Sequence, residues 1–278
     1  MQPGQPSHTA LRAAAHRAAH QSLERGRIFH DPLAVPVLGA DPQAIFETGS
    51  AASRGMRLFI AARSRFAEES LAAAVLRGVR QYVVLGAGLD TFAHRNPFAP
   101  IGLRVFEVDH PQTQGWKRTR LAEAGLAPPP TLTFAPVDFE RQTLAEGLAA
   151  AGFDAAAPAF FSWLGVVVYL TRPAIFETLS FIARLPGAEV VFDYGEPVSA
   201  YPPGERPAQQ ARIDRMARLG EPWLTRFTAD ELEADLRGAG FDRVEDLGPA
   251  DIGRRFYGVK RPAGPGGHLV KATRLDQR

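Results

Sequence analysis

Gly86, Ala87, Gly88, Asp109, Asp138 and Phe139 carry the chemistry most legible in this chain. An apolar run, Tyr82-Val83-Val84-Leu85, stops at Gly86-Ala87-Gly88-Leu89-Asp90-Thr91, and a second β-rich run, Val105-Phe106-Glu107-Val108-Asp109, ends in an acid. Glycines at a turn let backbone approach a ligand closely, and an acid at the end of the next strand accepts hydrogen bonds from both ribose hydroxyls. The interval fits: 109 − 86 = 23, near the roughly 20 residues expected between a glycine turn and a ribose-binding acid. Asp138 and Phe139 close a third run, where a carboxylate takes the exocyclic amine of adenine and an aromatic ring covers the base. In order, the three strand ends describe a grip on an adenosine and therefore a nucleoside-bearing cofactor.

Simpler readings stand beside this one. Asp109 could cap a helix opening at Pro111, and Asp138 one opening near Arg141. The pair Gly86-x-Gly88 lacks the third glycine of G-x-G-x-x-G, Thr91 standing in its place, and such turns also occur without a ligand.

Strands and helices must alternate to bring these tips together. The pattern predicts strands at Gln81–Leu85, Arg104–Val108, Thr131–Val137, Phe160–Val168 and Glu189–Asp193, with a short helix near Thr91–Arg95 and helices at Pro111–Ala124, Arg141–Ala151 and Arg172–Leu185. That alternation specifies a parallel, doubly wound sheet with right-handed crossovers. Upstream, Thr9–Leu23 reads as a helix, Asp31-Pro32 as the start of a short helix to Leu38, and Met56–Arg77 as a long helix with apolar residues at helical spacing. Downstream, the proline-rich segment Glu196–Pro207 reads as a loop and Ala208–Leu219 as a helix. Thr228 opens Ala229–Ala239 with a capping box to Glu231. Strands follow at Arg243–Leu247 and, antiparallel, at His268–Thr273. We expect a single domain over 1–278, with a helical cap (1–77), a cofactor-binding core (81–195), a lid insertion (196–227) and the rest of the sheet (228–278).

Composition narrows the function. The 278 residues hold 32 basic and 30 acidic side chains, a net charge of +2, which is no footprint for nucleic-acid binding. Cysteine is absent, which removes disulfides, thiolate metal sites and a thiol nucleophile and fits a reducing compartment. Met1–Ala10 lacks the apolar core of a signal peptide, and no apolar stretch reaches the ~20 residues of a membrane span. The expectation is a soluble, cytoplasmic protein with no membrane partner.

The chain is also recognisable. Ala62-Arg63-Ser64-Arg65-Phe66, Leu85-Gly86-Ala87-Gly88-Leu89-Asp90-Thr91, Phe106-Glu107-Val108-Asp109-His110-Pro111 and Tyr169-Leu170-Thr171 together resemble the leucine carboxyl methyltransferase family, especially its bacterial S-adenosylmethionine-dependent branch. The resemblance runs from about Ala10 to Thr273. It implies a Rossmann-like, seven-stranded class I methyltransferase fold, mostly parallel with one antiparallel strand, with S-adenosyl-L-methionine as cofactor. It further implies that Arg63 reaches the cofactor carboxylate, that Gly86 lies beside the methionine moiety, that Asp109 binds the ribose and that Asp138 and Phe139 flank the adenine. An arginine fork suits bidentate carboxylate binding, with Arg65 as the rival. One departure stands out: the eukaryotic members carry a cofactor-contacting glutamate where this chain has Leu164, in Trp163-Leu164-Gly165-Val166.

For the methyl acceptor, Tyr169, Tyr194 and Arg255 are the expected pocket residues, with Asp193, Arg226 and Tyr257 nearby; Arg254-Arg255 reads as a loop. His16 and His20 lie four apart on one helical face without a third ligand, so no metal is expected. The preferred reading is methyl transfer to an oxygen of a small molecule, a carboxylate or hydroxyl. Methylation of a peptide's C-terminal leucine is less favoured. An NAD(P)-dependent oxidoreductase is an alternative, weakened by the missing third glycine. A catalytically idle cofactor-binding module is another, supported by Leu164.

Overall fold

The computed structural model describes residues 8–39, 54–139, 141–260 and 264–275. Most of the opening segment read for a leader core (residues 1–7) lies outside them. Strands β1 (Gln81–Leu85), β2 (Arg104–Asp109), β3 (Leu132–Pro136), β4 (Ala159–Trp163), β5 (Glu189–Gly195), β6 (Arg243–Leu247) and β7 (Gly267–Thr273) form one sheet in the order β3-β2-β1-β4-β5-β7-β6. This is a Rossmann-like mixed sheet, with β7 antiparallel to both β5 and β6. Every residue of β1 and β4 is buried, as expected of parallel strands covered on both faces.

Register matters most for function. Leu85 of β1 pairs with Val108 of β2, and Asp109 pairs with Pro136 of β3. The residues that follow β1, end β2 and follow β3 therefore emerge side by side on one edge. With neighbouring strands about 4.8 Å apart, the three tips span about 10 Å. The order also reverses at β1, which has β2 on one side and β4 on the other, and such a switch point opens a crevice at the carboxyl ends of the strands.

The chain divides into two compact units, residues 1–162 and 163–278. In the first, helix α1 (His8–Leu23) carries an alanine face, Ala14, Ala15 and Ala18, that packs on Ala34, Val37 and Leu38 of α2 (Ala34–Leu38), on Leu89 beyond the glycine turn and on Leu121. Small side chains allow that close approach. Helix α3 (Arg54–Leu76) buries Leu58, Ala61, Ala62, Phe66, Leu71 and Val75, the stripe expected from its spacing. Helices α4 (Pro111–Glu123) and α5 (Leu144–Ala150) connect β2 to β3 and β3 to β4; α5 starts at Thr143, which forms a capping box with Glu146.

In the second unit, α6 (Arg172–Ala183) precedes β5, α7 (Arg206–Arg218) lies in the 196–227 segment, and α8 (Ala229–Ala239) begins at Thr228 with the expected capping box to Glu231. Three expectations need correction here or upstream. The fourth strand stops at Trp163 instead of reaching Val168, because Gly165 adopts a left-handed φ of +71° and Val167–Tyr169 form a 3-10 turn; Tyr169 therefore belongs to a turn and not to a strand end. Arg254 and Arg255 are not in a loop: α9 (Pro249–Ile252) continues as a π-helical turn over Gly253–Tyr257, closed by Gly258 at φ +67°. The short helix after Asp31 begins at Ala34, since the Asp31 carboxylate takes the Leu33 N–H and so makes a turn first.

Candidate cofactor and acceptor sites

The glycine turn and Asp109 are bonded to each other. Gly86 and Ala87 N–H both donate to the Val108 carbonyl, at 2.9 and 3.1 Å. Gly88 N–H donates to Asp109 Oδ2 at 2.6 Å, and His110 N–H donates to Oδ1 at 2.7 Å. Gly86 and Gly88 hold φ of +65° and +48°, and a Cβ on Gly88 would lie 3.1 Å from Ala10 Cβ on α1, so glycine answers both the backbone and the space. Each Asp109 oxygen keeps a free lone pair, which suits two vicinal hydroxyls. Burial pushes the Asp109 carboxyl up, outweighing the two backbone N–H groups that favour its ionised form. The helix cap is His110, whose Nδ1 accepts from Gln112 N–H, so Asp109 is not capping.

Val137 N–H donates to the Asp109 carbonyl at 2.9 Å, which fixes the third tip against the second. Asp138 does not cap α5, which Thr143 opens; its carboxylate lies 3.5 Å from Arg141 Nε. Phe139, immediately after it, is 62% exposed, a large apolar ring presented at the carboxyl edge of the sheet.

The turn is braced from behind by Asp31, read from the sequence only as a helix start, and by Arg17, Arg95 and Glu68, which the sequence reading did not single out. Asp31 is fully buried, accepts from Thr91 Oγ1 at 2.8 Å and pairs with Arg17 Nε at 3.2 Å. Arg17 also donates to the Leu89 carbonyl. Arg95 donates to Thr91 Oγ1 and to Glu68. Behind β2, fully buried Glu107 pairs with Lys117 Nζ at 2.6 Å. Asp31-Pro32 reads locally as a helix start, and the distance in sequence hid the bonds of Asp31 to Thr91 and Arg17.

Arg63 is half-buried on α3, and its charge reaches His16 on α1. Burial first, then Arg12, Arg57 and Arg63, push the His16 imidazole down to about 4. Arg57 is occupied by Glu24, at 2.8 and 2.6 Å, and Arg65, the rival of Arg63, by Glu69 at 2.6 Å. The neighbourhood of His16 is thus cationic enough to favour a carboxylate. His20 serves structure: Nδ1 meets Glu24, and Nε2 accepts from Ile28 and Phe29 N–H. Among the described residues, no group of three or more His, Cys, Asp or Glu is disposed to hold a metal, and no helix is long and apolar enough to cross a membrane.

In the second unit, Asp193 Oδ1 accepts from Gly165 N–H at 2.6 Å, which holds the turn that follows Leu164. The chain returning from α7 is pinned to the segment around Tyr169: Leu224 N–H donates to the Val168 carbonyl and Thr225 Oγ1 to that of Leu170. Phe227 N–H then reaches the Gly195 carbonyl. Tyr169 and Arg226 are thereby brought to one neighbourhood. Tyr194 meets the Phe227 ring at 6.1 Å, but its hydroxyl is committed: buried, it donates to Asp246 Oδ2 at 2.6 Å, and its ring lies 4.7 Å from that of His268, which also contacts Asp246 and Glu196. Arg255 pairs with Glu245 of β6 at 3.1 Å.

Residues 10–183 match the family model described as leucine carboxyl methyltransferase. YktD of Bacillus subtilis, assigned by name to the S-adenosyl-L-methionine-dependent methyltransferases, is 38% identical over 205 residues, covering 72% of this chain and 66% of its own length, a little under two thirds. A protein of the same assignment from Mycobacterium avium is 35% identical over 228 residues, covering 76% of this chain and 71% of that one. Among solved structures, an assigned methyltransferase of Thermobifida fusca (16% identity, TM-score 0.57, 99% of this chain and 97% of that one) and a DUF574 family protein of Streptomyces avermitilis (16%, 0.56, 98% of each) share the fold.

Proposed function

This chain belongs to the leucine carboxyl methyltransferase family of S-adenosylmethionine-dependent enzymes, and from that premise we propose that it methylates an oxygen, carboxylate or hydroxyl, of a small molecule. The observation that carries the reading is the bond from Gly88 N–H to Asp109, which locks the glycine turn to the acid on adjacent tips of one sheet edge. When bound, the cofactor supplies a methyl group on a sulfonium, open to in-line displacement.

The residues present fit that group. Arg63, with Arg12 adding charge, would take its carboxylate; Gly86, Ala87 and Gly88 would face its methionine portion; Asp109 would accept from the ribose hydroxyls. Asp138 and Phe139 would flank the adenine, Phe139 covering the base. Leu164 offers no carboxylate to the cofactor's amino group, so backbone carbonyls or a water would have to make that contact, or the cofactor would sit somewhat differently. On the acceptor side, a carboxylate or phenolate is already a nucleophile, so the protein must orient and desolvate it instead of deprotonating it. Tyr169, in the turn after β4, would line the acceptor pocket. The hydroxyl of Tyr194 and the guanidinium of Arg255 are committed to Asp246 and Glu245 and would act only by shaping the surroundings. The 196–227 segment would serve as a lid, and a cysteine-free chain accords with a reducing cytoplasm.

Family membership removes the ground for the nicotinamide alternative. The test is thermal unfolding with S-adenosylhomocysteine and with NADPH. At about 100 times its Kd, a ligand of the folded state adds about 2.7 kcal/mol, so the homocysteine product should raise Tm by several degrees and NADPH should not. A labelled methyl donor offered with carboxylates and phenols then reads turnover. Binding without transfer to any of them would favour the idle-module reading.

A further inference from the structure

The segment that returns from α7 carries two buried hydrogen-bond donors without an acceptor among the described residues: Trp223 Nε1 and one Arg226 terminal nitrogen, Nη2. They sit on side chains in contact, the Arg226 guanidinium carbon lying 5.6 Å from the centre of the Trp223 ring; Arg212 stacks on the same ring at 5.1 Å. An indole N–H and a guanidinium are donors only, so what satisfies both must be an acceptor, and the charge on Arg226 selects an anion. Buried donors left unmade are costly, and native structures retain few of them without a reason.

Their placement is fixed by the backbone. Leu224 and Thr225 bond to Val168 and Leu170, and Phe227, fully buried, bonds to Gly195 at the carboxyl end of β5. Arg226 lies between these two anchors, at the end of the sheet where ligands of such folds sit. Tyr201, from the start of the same segment, lies in the field of both Arg212 and Arg226, with Glu196 and Glu205 as the acids facing it. Two guanidinium groups over the Trp223 ring help to hold it in place.

We propose that Trp223 and Arg226 form a binding site for a carboxylate of the methyl acceptor and so determine that this enzyme takes acidic small molecules. The proposal deepens the methyl-transfer reading and rests on it for the word acceptor, but the anion site itself stands on the two donors. Neither residue is a catalytic residue here; both select and position.

Calorimetric titration separates the possibilities. The protein, saturated with S-adenosylhomocysteine, is titrated with benzoate, phenylacetate and hexanoate, with the matching amides, and with phenyl phosphate and inorganic phosphate. We expect one or more carboxylates to bind and the amides to bind at least tenfold more weakly. Arg226→Ala should raise the carboxylate Kd at least tenfold, Arg226→Lys should restore part of that, and Trp223→Phe, which keeps a ring and removes the N–H, should raise it severalfold. In each variant the Kd for S-adenosylhomocysteine should stay within twofold, which also reports folding. Carboxylate binding that survives Arg226→Ala, amides binding as tightly as acids, phosphates preferred over carboxylates, or no carboxylate binding at all would each overturn the proposal. If carboxylates bind through Arg226 while a labelled donor transfers no methyl group to them, the anion site stands and the methyl-transfer reading fails.

Discussion

Asp109 shows how one side chain ties two strand ends together. Its two oxygens hold Gly88 and His110, so the glycine turn and this acid are a single hydrogen-bonded unit. Replacing Asp109 with alanine should weaken S-adenosylhomocysteine binding by about 1–3 kcal/mol, the cost of leaving buried polar partners unmade, measured by titration calorimetry. Unchanged affinity in a folded Asp109→Ala protein would remove the residue from the site. Its place at the end of a strand was legible in the sequence, because a strand followed by a glycine turn and an acid is a local pattern. That Asp109 does not cap α4 was not legible, since His110, one residue on, makes an equally good cap and only geometry distinguishes them.

Elements carry the next level of consequence. Helix α1 packs its alanine face beside the glycine turn and buries His16 among Arg12, Arg57 and Arg63. The folded state holds that imidazole neutral down to about pH 4, whereas the unfolded chain protonates it near 6.5. Its contribution is therefore fully present above pH 6.5 and lost as pH falls from 6.5 to 4. Discounted because Arg12 is exposed and screened, the loss is about 2 kcal/mol, and His16→Gln should abolish it; urea midpoints at pH 7 and pH 4 measure both. His268 has the opposite sign, because its bond to Asp246 raises the imidazole against the effect of burial. Its contribution is complete below 6.5 and fades as pH rises past the raised value. Between β2 and α4, the buried Glu107–Lys117 pair is exposed to partner removal: Lys117→Met should cost about 3–5 kcal/mol, and adding Glu107→Gln should recover part of it, as urea unfolding would show.

At the scale of the whole molecule, ligands should act on different stretches of chain. Hydrogen exchange with S-adenosylhomocysteine should protect residues 86–91, 108–110 and 137–139, whereas a bound carboxylate should add protection at 199–204 and 222–227. Protection by S-adenosylhomocysteine confined to 222–227 would contradict the placement of the cofactor at the first three tips. Function at this scale follows from fold only through its sites: the relatives in Thermobifida and Streptomyces share the architecture at 16% identity, which speaks to the sheet and not to the acceptor.

The sequence by itself determined the alternation of strands and helices, the glycine turn, the two acids at successive strand ends and the family. The elements are written in short-range periodicity, where residues a few positions apart settle the outcome, and the family in a resemblance carried by motifs spread from Ala62 to Thr171. Tertiary structure decided which polar groups were already taken. Tyr194 is held by Asp246, 52 residues away, Thr91 by Asp31, 60 residues away, and the fourth strand ends where Asp193, 28 residues on, captures Gly165. It also left Trp223 Nε1 and Arg226 Nη2 without an acceptor among the described residues. A hydrogen bond forms between whatever the fold brings within 3 Å, and separation along the chain carries no record of that encounter.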